Sequence, residues 1–211
     1  MGTILHLLLA ISAALIHTGP GYVTSSTPSI DEPATDAPAL EPIPPQLELA
    51  DVPDELLGSV IWAIGLFEQA DLALPPLQLV HHGDDKTPCG GYRGVHEIRG
   101  DRSIIGLCMT EPGPITNATI LHELAHAWLE HHLPTTRKAD FQALRGYDNW
   151  RDHSAPWGEQ GCEQAAEIIV WGLIDRPIGF VTFANSSCDA LDAGYRTLTG
   201  TATLHGYRDL C

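Results

Sequence analysis

Basic residues are scarce, and none precedes Lys86. The chain of 211 residues has 11 Lys and Arg against 27 Asp and Glu, a formal net charge of −16. Phosphate backbones need a cationic face, so this balance argues against nucleic acid as a partner. It argues equally against an anionic membrane surface. Methionine is nearly missing, with only Met1 and Met109. No cysteine precedes Cys89, and no C-x-x-C pair occurs, which removes a thiolate zinc knuckle. No internal repeat is present. Long hydrophobic runs are also missing. The longest, inside MGTILHLLLAISAALIHTG, covers about thirteen residues, short of the ~20 that a helical span needs.

What is there begins with that run. It suits the core of a signal peptide over residues 1–25, although no basic side chain precedes it. An uncleaved N-terminal anchor is the alternative, and the only route by which a membrane would enter. Residues 26–50 are rich in Pro, Ser, Thr and acid, with no basic or aromatic residue, and read as a disordered linker. The remainder, 51–211, is long enough for one domain with its own core. Secreted or surface-tethered placement permits disulfides. Cys89 and Cys108 flank an expected hairpin, and Cys188 and Cys211 flank the C-terminal segment. Those two pairings are expected, leaving Cys162 free.

Turn and cap residues divide the domain. A helix is expected from Asp51, as N-cap, to about Asp71, stopped by Pro75 and Pro76. Leu77–Val80, Tyr92–Ile98 and Ser103–Met109 read as strands, the last two joined at Arg99–Arg102. Helices follow at about Asn117–Leu133, Arg137–Leu144 and Glu159–Leu173. Asn117 fits a helix N-cap, or a glycosylation acceptor like Asn185. A strand near Phe180–Phe183 and a short helix around Cys188–Leu198 complete the chain. The expected class is α+β, with a small mixed sheet packed on helices.

The chemistry concentrates in ILHELAHAWLEHHLP, residues 120–134. His122 and His126 stand at i and i+4, about 40° apart on a helix, and can share one ion. Ile120, Leu121, Leu124, Ala125 and Trp128 form an apolar arc beside them. Glu123 sits next to the pair, where a carboxylate can take a proton from water without being a ligand. That is the physical basis of the H-E-x-x-H spacing in zinc hydrolases.

On His122, Glu123 and His126 the chain resembles the zincin metallopeptidases. The resemblance implies a zinc ion, a water activated by Glu123, and a peptide substrate laid along a sheet edge. A third ligand is then needed. His132 occupies the last position of the metzincin pattern, but residue 129 is Leu rather than Gly and no Met follows the motif. Without a break, His132 points about 120° away from His126. The alternative is Gly161-Cys162-Glu163-Gln164-Ala165-Ala166-Glu167, which resembles the gluzincin third-ligand helix, with Glu in place of the usual Asp at 167. This resemblance implies Glu163 as ligand and Glu167 as orienter of a histidine. Glu159, one turn earlier, is the competing choice. For the oxyanion, Tyr195 is the first candidate, ahead of His153, His205 and Tyr207. The expected function is zinc-dependent peptide-bond hydrolysis. The alternative is a zincin-like protein that binds metal or a partner without turnover.

Overall fold

A computed structural model describes residues 47–151, 154–174, 176, 178 and 187–211. The expected signal segment, the Phe180–Phe183 strand, His153 and Asn185 lie outside those residues, as does all but the end of the expected linker. That end is ordered. Leu47–Ala50 forms strand β1, paired in parallel with β2, Leu77–His81, so Leu47 meets Leu77 and Ala50 meets Val80. The sheet therefore begins inside the acidic, proline-rich stretch.

The class is α+β, as expected. The sheet has four strands in the order β1-β2-β4-β3, where β3 is Gly94–Arg99 and β4 is Arg102–Leu107. β2 and β4 run parallel, while β3 and β4 form an antiparallel hairpin with Arg99 opposite Arg102. Strand alternation puts Ser103, Ile105 and Leu107 on one buried face, level with Leu77 and Leu79 of β2. Helices cover that face. Helix α1, Asp54–Gln69, buries Leu56, Val60, Ala63, Ile64 and Phe67. It starts one residue after Pro53, whose carbonyl accepts from the amides of Leu56 and Leu57. Asp51 is thus not its cap, and instead takes a left-handed φ of 57°.

Helix α2, Pro114–His132, begins three residues before the expected start. The cause is Pro114: its ring presets a helical φ and it has no N–H to leave unpaired at the first helical position. Asn117 consequently lies in the first turn, its amide bonded to the Gly113 carbonyl, and it is not a cap. The apolar arc of α2 is fully used, with Ile120, Leu121, Leu124 and Ala125 all wholly buried. Helix α3, Thr135–Arg145, follows directly after Pro134. Helix α4, Gly161–Leu173, is buried at every position except Glu163, and packs against both α2 and α5, Cys188–Thr199. Two disulfides tie the ends, Cys89–Cys108 and Cys188–Cys211, and Cys162 is free and buried. Both pairings match the sequence expectation.

Candidate metal centre

Two helices build the site. α2 brings His122 and His126 to one face, one turn apart, and α4 crosses it with Glu163 in its first turn. The His122 Nε2 and His126 Nε2 atoms lie 3.0 Å apart. Glu163 Oε2 is 3.0 Å from the first and 3.2 Å from the second. Three donor atoms therefore form a nearly equilateral triangle. Two imidazole nitrogens facing each other at this range are unfavourable unless a proton or a cation lies between them. An ion capping this triangle at ~2.0–2.1 Å from each corner would keep one side open, and the N, N, O donor set suits zinc. His122, His126 and Glu163 are thus a group that could hold a metal ion.

Glu167 sits one turn beyond Glu163 on α4. Its Oε1 lies 3.0 Å from His122 Nδ1. The nitrogen is buried and has no other partner among the described residues. A proton on Nδ1 facing this carboxylate leaves the Nε2 lone pair directed at the triangle. Without an ion the same group holds an extra proton. Burial alone would lower the His122 imidazole, but its contacts with Glu163 and Glu167 outweigh this and carry it up to about 10. Burial would raise the Glu163 carboxyl, yet the bonds from His122 and His126 hold it well below the usual carboxylate range.

Glu123 projects into the same cleft and is 7 % exposed. Burial, the largest influence, pushes its carboxyl above the ordinary value, against the pull of His122 and His126. Strand β3 presses close here. A Cβ on Gly94 would come within 2.7 Å of both Glu123 Oε1 and Thr119 Cγ2, so only glycine lets the strand approach. The cleft encloses about 690 Å³ between β3, α2, α4 and the loops before β3 and α4.

The competing ligand candidates fall elsewhere. Glu159 ends a 3₁₀ turn, Trp157–Glu159, outside α4 and exposed to solvent. His132 packs its ring beside Trp128 at the end of α2. Tyr195 is not at the site. It is wholly buried in α5, against Gly172 of α4, and burial pushes its phenol up to about 12. Leu191, Tyr195 and Leu198 are spaced i, i+4, i+7, the core stripe of an amphipathic helix, which is why Tyr195 points inward. His205 and Tyr207 do not line the cleft either.

Other residues do, and motif spacing did not reveal them. His96 on β3 stacks parallel to the His126 ring at 6.3 Å and bonds Ser103 Oγ at 2.8 Å. Burial, and then the nearby His126, push it down to about 3, so it is a neutral imidazole. Arg151 reaches the cleft while paired with Glu130 at 2.5 Å. Trp157 lies 5.7 Å from the His122 ring. The one available signal was period two along β3: Gly94 and His96 share the face turned to α2.

No family model, curated protein or solved structure matches the chain.

Proposed function

We propose that the protein is a zinc-dependent metallopeptidase of gluzincin type, exported from the cell. The observation that carries this reading is the triangle of His122 Nε2, His126 Nε2 and Glu163 Oε2 with the Glu123 carboxyl in the same cleft. When bound, zinc supplies the charge that polarises a peptide carbonyl and acidifies water. Glu123, in the same cleft but not one of the three ligands, would accept a proton as that water attacks the carbonyl. It then hands the proton to the leaving amine as the C–N bond breaks. Glu167 holds the His122 ring in place throughout.

A peptide substrate fits the sheet. β3 pairs only with β4 among the described residues, so its outer edge is free to bond an extended chain beside Glu123. Two disulfides suit an oxidising compartment, and no described helix is long and apolar enough to cross a membrane.

A second reading retains the metal without turnover. It is favoured by the absence of Tyr195, His205 and Tyr207 from the cleft wall, so that none of the expected oxyanion donors among the described residues lines the cleft. The Glu123→Gln variant separates the two. Hydrolysis of a broad peptide library should fall by about 10²–10⁴-fold while zinc content is unchanged. Zinc-loaded wild type as inert as the variant would leave only the second reading.

A further inference from the structure

The cleft carries more positive charge than the composition of the chain suggests. Of 11 Lys and Arg in a protein of net charge −16, Lys86, Arg93 and Arg151 line this one cleft. Arg151 is held by Glu130. Lys86 and Arg93 are exposed and have no acidic partner among the described residues. The two acids just before Lys86 are turned to other work: Asp84 accepts from Thr110 Oγ1, and Asp85 accepts from the Thr87 amide. Neither lines the cleft.

The backbone that carries the two cations is held in place. The Lys86 carbonyl accepts from the amides of Cys89 and Gly91, and the Arg93 carbonyl accepts from the Cys108 amide. The Cys89–Cys108 disulfide closes this loop onto the residue after β4. Their backbones are thus anchored at the mouth of the cleft, at the end where β3 begins. Among the described residues, the acids lining the cleft are Glu123, Glu163 and Glu167, all of them at the metal triangle. A dication there would offset most of that charge, leaving the mouth positive inside an acidic protein. In a chain of net charge −16, such an opening favours anions more than the average surface does.

We propose that the cleft selects acidic peptides, with Lys86 and Arg93 pairing Asp or Glu side chains that flank the bond lying at the metal triangle. This rests on the peptidase reading for its substrate, while the binding preference can be measured without turnover. The probe is a fluorescent peptide with a neutral core, flanked by Glu in one version and Lys in the other. Binding is followed by anisotropy on the zinc-loaded, full-length Glu123→Gln protein. Exposed pairs are individually weak, so two together should favour the Glu peptide by about tenfold at low salt, less as salt rises. The double variants Lys86→Gln/Arg93→Gln and Lys86→Glu/Arg93→Glu, in the same background, should respectively abolish and invert that preference. Zinc content should stay unchanged in both. Equal binding of the two peptides, binding of neither, or a preference that survives charge reversal would overturn the proposal. Cleavage of neutral and acidic peptides at equal rates by wild type would sink it while leaving the peptidase reading intact. Selective binding of the Glu peptide by a protein that cleaves nothing would uphold it and remove the peptidase reading instead.

Discussion

His122 is where protonation and metal binding compete. Its imidazole, raised to about 10 in the metal-free protein, must lose its extra proton before Nε2 can bind an ion. The consequence for metal-free stability has a definite sign. A raised histidine stabilises fully below its ordinary value of 6.5, and that contribution is lost as pH rises through about 10. The raised carboxyl of Glu123 acts in the same direction, its contribution fading as pH climbs above 4.5. The depressed Glu163 is the reverse case: its contribution is present above 4.5 and lost only in strong acid. The melting temperature of chelator-treated protein should therefore fall between pH 7 and pH 10. The fall should be shallower in His122→Gln, and identical slopes would contradict the pairing. Residue spacing made this site legible, because i, i+4 on α2 and i, i+4 on α4 are local patterns. His96, Lys86 and Arg93 were not legible, because only the tertiary approach of β3 and its loop brings them to α2.

At the level of elements, the site depends on how α4 is clamped between α2 and α5. Gly172 of α4 lies directly against Tyr195 of α5. A Cβ there would stand 2.2 Å from the Tyr195 ring, which is wholly buried. Gly172→Ala should destabilise the fold by about 1–3 kcal/mol, as overpacked cores do, and lower the melting temperature by roughly 2–10 °C. Tyr195→Leu in combination should recover part of that loss, because the two changes share one contact. Calorimetry of the two variants checks this, and an additive double variant would count against the contact. The helices and the β3–β4 hairpin could be read from periodicity and turn residues. Strand β1 could not. LELA is four residues long, follows PIPPQ, and gains its identity from parallel pairing with β2 some thirty residues away in sequence. Tyr195 was misread for another reason: its polar tip suggested chemistry, while its place on the Leu191–Leu198 stripe already put it in the core.

Across the whole molecule, the metal would join elements that the sheet alone does not connect. α2 and α4 meet at the triangle, and an ion bound only in the native state stabilises it by mass action. Zinc at about a thousand times its dissociation constant adds ~4 kcal/mol, a melting shift on the order of 10 °C for a domain this size. Chelation should reverse the shift, and a melting temperature indifferent to both would mean that no native site exists. Composition was informative at this scale. The cysteines, none of them before Cys89, were expected to pair as Cys89–Cys108 and Cys188–Cys211, and both pairs formed. The charge of the cleft could not be read that way, because net charge says nothing of where the few cations gather.

The central claim is that His122, His126 and Glu163 hold one zinc ion. The most direct test is the zinc content of purified wild-type protein beside Glu163→Ala, measured by elemental mass spectrometry after gel filtration. One zinc per chain in the wild type and a marked loss in the variant are expected. Wild type without stoichiometric zinc, or a variant that keeps it, would contradict the account.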